Sequence, residues 1–168
     1  DVVEEFDYET GRLLDALDEL GLSKNTLVIY TSDNGPWNQD KYTKKKKGHP
    51  KDSIFWGSSG PLRNGKGSCY EGGYRLPCIV RWPGKVPAGR ESDAVFATID
   101  FMPTFANLCG FKAPADRVVD GIDQTDLLLG KSEKGRETFY FDRAGIRKGK
   151  WKYLQAKAHF YGYAREDD

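Results

Sequence analysis

Neither sign of charge dominates this chain of 168 residues: Lys and Arg number 26, Asp and Glu 25, for a formal net charge of +1. A general nucleic-acid binder carries a basic excess, so no nucleic-acid partner is expected. Cysteine is scarce. Cys69, Cys78 and Cys109 allow at most one bridge and a free thiol, which is no disulfide framework. Histidine is scarcer still. His49 and His159 lie far apart without ligand spacing around them, so both read as surface residues rather than a His-rich metal site. No apolar run approaches the roughly 20 residues that a membrane helix needs, so no membrane partner is expected. Asp1 to Glu9 is acidic, unlike the start of a secretory signal. No internal repeat is found. What is present is 38% hydrophobic and 13% aromatic residues, enough for a packed core and too much for a disordered chain. The length fits one domain or a piece of a larger one.

Hydrophobic periodicity divides the chain. Phe6, Leu13, Leu14, Leu17 and Leu20 recur at helical spacing, and Gly21 supplies a stop. The run Leu27 to Thr31 is apolar and partly β-branched without alternation, the pattern of a strand buried on both faces. Helix, short loop and buried strand make half of an α/β unit. Leu76 to Trp82 is a second apolar run, and Ala94 to Ile99 reads as a third strand. Asp100 stands as a helix N-cap with Pro103 in the first turn, Phe101, Phe105 and Leu108 share a face, and Gly110 ends the helix. From Thr138 the period changes. Thr138 to Phe141, Ala144 to Arg147 and Trp151 to Leu154 are short, aromatic-rich and separated by turn residues, which predicts antiparallel hairpins.

Three segments carry polar groups suited to chemistry. Asp33-Asn34 follows the first strand, where open α/β sheets bind ligands. A carboxylate and an amide carbonyl suit a hard cation such as Ca²⁺ or Mg²⁺, although Asn34-Gly35 is also a strong turn former. Two ligands fall short of the six to eight that Ca²⁺ takes, so others must come from elsewhere. Gly60 to Gly67 nearly matches a phosphate-binding P-loop but ends on Gly67 in place of Ser or Thr, no apolar strand enters it, and Cys69 to Gly73 does not open a helix. What remains is Lys66 on a backbone that permits close approach, suited to a tetrahedral oxyanion or else a solvated loop lysine. In Glu71-Gly72-Gly73-Tyr74-Arg75, the two charged residues read as braces of a glycine turn. Lys44 to Lys47 reads as a solvated run that could also attract a polyanion, and Trp37 and Trp56 as packing or as the wall of a sugar or aryl pocket.

Taken in order, Thr31-Ser32-Asp33-Asn34-Gly35, Gly65-Lys66-Gly67-Ser68-Cys69-Tyr70-Glu71-Gly72-Gly73-Tyr74-Arg75-Leu76-Pro77 and Trp82-Pro83-Gly84 resemble the C-terminal half of the type I, formylglycine-dependent sulfatases of the alkaline phosphatase superfamily. Gly11 to Leu17, Ile99 to Thr104 and Asp120-Gly121-Ile122 are similar to the same family, so that the resemblance covers roughly residues 4 to 155. It implies an α/β fold, an alkaline-phosphatase-like sandwich in which residues 1–130 belong to the catalytic α/β domain and 131–168 begin a small antiparallel subdomain. It implies a sulfuric ester hydrolase acting on a sulfate ester, a sulfated carbohydrate among the candidates. Asp33 and Asn34 would be metal ligands, with Ca²⁺ favoured over Mg²⁺, and Lys66 would contact the sulfate as a catalytic and substrate-binding residue. A phosphate or phosphonate ester hydrolase of the same superfamily, or a non-enzymatic anion-binding module, are the other readings.

The family's nucleophile motif, Cys or Ser followed by x-Pro-x-Arg or x-Ala-x-Arg, does not occur at Cys69, Cys78 or Cys109. Nor is there a counterpart of its paired N-terminal Asp ligands or its catalytic histidines. The chain therefore reads as a C-terminal portion, with the formylglycine expected upstream, and is expected to be poorly folded and inactive alone. Of compartments, the resemblance favours an exported one, periplasmic, extracellular or lysosomal.

Overall fold

The computed structural model describes residues 1–37, 57–141 and 144–155. The Lys44 to Lys47 run, His49, Trp56 and His159 lie outside the described residues. The chain divides into two compact units, residues 1–30 with 79–136 and residues 31–78 with 137–168. Among the described residues no helix is long and apolar enough to cross a membrane.

In the first unit the opening helix forms as its spacing predicts. It runs over Val2–Glu19 (α1). Asp1 caps it, its carboxylate accepting from the Val3 N–H at 2.8 Å and so satisfying one free amide of the first turn. Leu14 and Leu17 are half-buried, and Phe6 packs against Tyr30 with ring centres 5.7 Å apart. Beyond the helix, Arg81 donates to both Asp18 carboxylate oxygens at 3.0 and 3.1 Å. The Ser23 hydroxyl and Arg81 together hold the Asp18 carboxyl below the usual carboxylate range. The Trp82 indole donates to the Lys24 carbonyl at 2.9 Å.

The first two apolar runs form Val28–Thr31 (β1) and Cys78–Arg81 (β2), which are neighbours in a two-stranded sheet. β1 is not buried on both faces, contrary to its apolar pattern. Val28 and Ile29 are half-buried, and Tyr30 and Thr31 are exposed. A strand with one strand neighbour keeps a free edge and thin cover, whatever its hydrophobicity.

The third expected strand does not form. Residues 94–97 lead instead into a 3₁₀ turn, Thr98–Asp100. The Val95 carbonyl accepts from the Arg136 N–H at 2.8 Å and from the Gln124 amide at 3.2 Å. Those two donors come from separate segments, so no ladder can extend. The helix that follows covers Phe101–Leu108 (α3), with the Phe101 and Phe105 rings stacked 5.3 Å apart. Asp100 occupies its N-cap position, yet its side chain does not cap α3. The carboxylate turns inward and is fully buried. It accepts from Ala97 N at 3.0 Å, Ile122 N at 2.9 Å and Arg136 Nε at 3.2 Å, with a further short bond from Arg136 Nη2. Burial alone would raise its pKa. The Arg136 hydrogen bonds and the two backbone amides outweigh that and hold it below the ordinary carboxylate value. A one-turn helix, Thr125–Leu128 (α4), buries Leu127 and Leu128.

In the second unit Glu71–Tyr74 forms a single helical turn (α2), where the glycine-rich sequence gave no helix signal. The three aromatic runs form Thr138–Phe141 (β3), Gly145–Lys148 (β4) and Trp151–Leu154 (β5), an antiparallel sheet in the order β3-β4-β5. Phe141 pairs with Gly145, Gly145 with Leu154, and Arg147 with Lys152. Phe141 is buried beside Cys69, with Phe139, Ala144 and Leu154 around them, whereas Tyr140 points to solvent. That is the alternation of a sheet with one covered face. Gly149, at φ +54°, makes the two-residue turn between β4 and β5. A Cβ there would meet no neighbour, so Gly149→Ala isolates the backbone term. It is expected to cost about 1 kcal/mol, read in the intact protein as a lower urea midpoint with unchanged slope.

Candidate functional site

The candidate groups lie in the second unit, on two segments joined through their backbones. β1 ends at Thr31, whose hydroxyl donates to the Pro77 carbonyl at 2.9 Å. The chain then bends. The Ser32 hydroxyl donates to the Asn34 carbonyl at 3.2 Å. Asp33 is exposed, Asn34 half-buried and Gly35 buried. The Gly35 N–H donates to the Gly73 carbonyl at 3.0 Å, and the Lys66 N–H donates to the Pro36 carbonyl at 2.8 Å. These two bonds tie the Asp33-Asn34 corner to the loop that carries Lys66.

Glycine makes that approach possible. A Cβ on Gly35 would run into the Gly72 carbonyl oxygen, and one on Gly72 into the Asn64 carbonyl oxygen. A Cβ on Gly73 would collide with the Ser68 and Gly65 carbonyl oxygens. Three backbone segments therefore meet where only hydrogen side chains fit. The lysine loop is braced from within. The Ser59 hydroxyl donates to the Leu62 and Asn64 carbonyls at 2.9 and 2.7 Å, and the Ser68 N–H and hydroxyl both donate to the Gly65 carbonyl, at 3.2 and 2.9 Å. Asn64, at φ +63°, accepts from the Gly65 N–H at 2.9 Å.

Lys66 itself is exposed. Its ammonium lies 5.5 Å from the centre of the Trp37 ring, a cation–π distance. The structure thus joins the Lys66 and Asp33-Asn34 segments by backbone, and places the free end of Lys66 beside Trp37.

Glu71 braces its turn through ion pairs, as its charge suggests. Its carboxylate accepts from Lys152 Nζ at 2.7 Å and faces Arg147 Nη1 at 3.6 Å. Both cations come from the C-terminal sheet, and no local spacing in the sequence reveals them. A possible signal is the pairing of two cations across β4 and β5, which calls for an anion above them. None of the three cysteines is in a disulfide: Cys69 is buried, and Cys78 and Cys109 are exposed.

The donors at Asp33 and Asn34 are oxygens, one of them anionic, as a hard cation requires. Among the described residues no group of three or more His, Cys, Asp or Glu side chains could hold a metal ion. In kind, a carboxylate and an amide oxygen are donors that Ca²⁺ accepts, and two of them fall short of its six to eight.

Comparison with known proteins gives a consistent result. A family model described as Sulfatase matches residues 1–111. A second, described as N-sulphoglucosamine sulphohydrolase, C-terminal, matches residues 65–163. Steryl-sulfatase of Mus musculus is 43% identical over 156 residues, which is 93% of this chain and 23% of that protein. N-acetylgalactosamine-6-O-sulfatase of Bacteroides thetaiotaomicron is 36% identical over 163 residues, 92% of this chain and 30% of that protein. The crystal structure of a sulfatase from Pseudoalteromonas sp. superposes with a TM-score of 0.74 at 34% identity, covering 89% of this chain and 29% of that one. The chain thus spans between about a fifth and a third of the length of these relatives. Its mixed α/β architecture is that of its sulfatase structural neighbours.

Proposed function

This chain belongs to the sulfatase family, and we propose that it supplies the sulfate-binding side of the active site in an intact sulfuric ester hydrolase. The observation that carries the reading is the pair of backbone bonds, Gly35 N–H to Gly73 and Lys66 N–H to Pro36, that couples the Asp-Asn corner to the lysine loop. In this reading Asp33 and Asn34 hold a Ca²⁺ ion through their side-chain oxygens. When bound, the ion supplies Lewis-acid polarisation of the sulfate oxygens.

Lys66 does the rest of the work assigned to these residues. Its ammonium leaves the Trp37 face and binds a sulfate oxygen, fixing the ester's anionic head. As the bond from sulfur to the alcohol oxygen breaks, negative charge redistributes over the sulfate oxygens and the departing oxygen. A positive charge already in place stabilises that redistribution without reorganising. None of the three cysteines stands in the family's motif for the attacking nucleophile, and Ser59, which opens Ser59-Gly60-Pro61-Leu62-Arg63, has its hydroxyl engaged with the Leu62 and Asn64 carbonyls. We place the nucleophile in the part of the intact protein that this chain does not span. The relatives are named for a steryl and an N-acetylgalactosamine substrate. Their common element is the sulfate ester, and that is the substrate class proposed here.

The test compares aryl sulfate with aryl phosphate on the intact protein, before and after chelation. Sulfate turnover that is lost with a chelator and restored by Ca²⁺ is expected. A preference for the phosphate ester, or turnover indifferent to chelation, contradicts the reading. Asp33→Asn keeps an oxygen but removes the charge, so it is expected to weaken Ca²⁺ binding about tenfold. Calorimetric titration of the chelated protein measures this.

A further inference from the structure

We propose that Glu71 is a positioning residue for the sulfate-binding loop, held in place by Lys152 and Arg147 of the C-terminal sheet. The inference rests on the role given to Lys66 above. It starts from an oddity of the sheet. Arg147 on β4 and Lys152 on β5 are direct cross-strand partners. Like charges set opposite each other repel, and such a pair is normally destabilising. Here one carboxylate answers both. Glu71 Oε1 lies 2.7 Å from Lys152 Nζ, and Oε2 lies 3.6 Å from Arg147 Nη1. All three side chains are partly withdrawn from solvent, between 17 and 31% exposed, so their attraction is screened less than that of a surface pair.

The same turn is gripped at its other end. Tyr74 meets the Phe141 ring edge-on at 4.9 Å, and Lys152 Nζ lies 3.6 Å from the centre of that ring. Cys69, just before the turn, is buried with its thiol 3.8 Å from the Phe141 carbonyl. Between these anchors stand Gly72 and Gly73. The Gly72 N–H donates to the Arg63 carbonyl at 2.9 Å, in the loop that carries Lys66, and the Gly73 carbonyl accepts from Gly35 at 3.0 Å, beside Asn34. A shift of Glu71 therefore moves the backbone that supports both parts of the site. The glycine contacts leave no slack to absorb it, because carbonyl oxygens already fill the space where a Cβ would sit.

The test uses the intact protein and inorganic sulfate as a competitive inhibitor, with thermal melting in parallel. Glu71→Gln and Lys152→Met are each expected to weaken sulfate inhibition about tenfold, the size of effect seen when supporting partners of a site are lost. The melting temperature should fall by only about 4 °C. Lys152→Arg keeps the charge and should restore sulfate binding, which loss of packing alone would not explain. Lys66→Ala is the control. If it weakens sulfate binding while Glu71→Gln and Lys152→Met bind sulfate normally, the positioning role is wrong and the proposed function stands. If Lys66→Ala binds sulfate normally, the functional reading fails and takes the positioning role with it. Should Glu71→Gln not fold, Lys152→Met decides by the same criterion.

Discussion

Lys66→Ala in the intact protein is expected to lower kcat/KM for a sulfate ester by about 10²- to 10³-fold, the range for removing one preorganised charge or donor from a developing anion. The lysine is exposed, its ammonium 5.5 Å from the centre of the Trp37 ring, so truncation should leave the melting temperature nearly unchanged. Its backbone N–H, which bonds Pro36, survives in alanine. The loss therefore reports on the ammonium alone. Lys66→Arg should recover only part of the activity, because the larger planar guanidinium does not place its charge where the compact ammonium sits. Steady-state kinetics with an aryl sulfate measure both. Equal kcat/KM in wild type and Lys66→Ala would remove the lysine from the site.

The second large effect concerns stability. Arg136→Met is expected to cost about 3–5 kcal/mol at neutral pH, because it strands the fully buried Asp100 carboxylate without its cation. The pH dependence has a definite sign. In the wild type the folded-state pKa of Asp100 is lowered. The stability it contributes is complete above its unfolded pKa of about 3.9 and is lost as pH falls through the lower folded value. Without Arg136 the folded pKa would rise from that lowered value, and the variant would be relieved when Asp100 takes up a proton. The difference between the two proteins should thus narrow in acid. Urea unfolding of the intact protein at about pH 7 and about pH 4 tests this. Asp100→Asn added to Arg136→Met should recover part of the loss, since it removes the unpaired charge. A constant difference across that range would show that Asp100 does not feel Arg136.

Which features the sequence made legible follows from the range of the forces involved. The C-terminal hairpins were readable because alternation and turn chemistry are local: Phe139 and Phe141 pack inward, Tyr140 faces out, and Gly149 turns the chain. The opening helix was readable for the same reason. Ala94 to Ile99 has strand composition, but its backbone partners come from Gln124 and Arg136, so composition misled. Asp100 has the local signature of a cap, yet Arg136, 36 residues on, draws its carboxylate inward. Glu71 reads locally as a brace of its turn, but its partner Lys152 lies 81 residues away. In the site, the residue types at Asp33, Asn34 and Lys66 suggested a cation and an oxyanion from their chemistry. The joining of their backbone segments depends on Gly35, Gly72 and Gly73 letting three backbones touch, which spacing cannot reveal.

The most direct test is a crystal structure of the intact protein with Ca²⁺ and inorganic sulfate. We predict one oxygen each from Asp33 and Asn34 at about 2.3–2.6 Å from the cation, and the Lys66 ammonium at about 2.7–3.2 Å from a sulfate oxygen. A sulfate bound elsewhere, with Lys66 still lying against Trp37 and the two side-chain oxygens turned to solvent, would contradict the account.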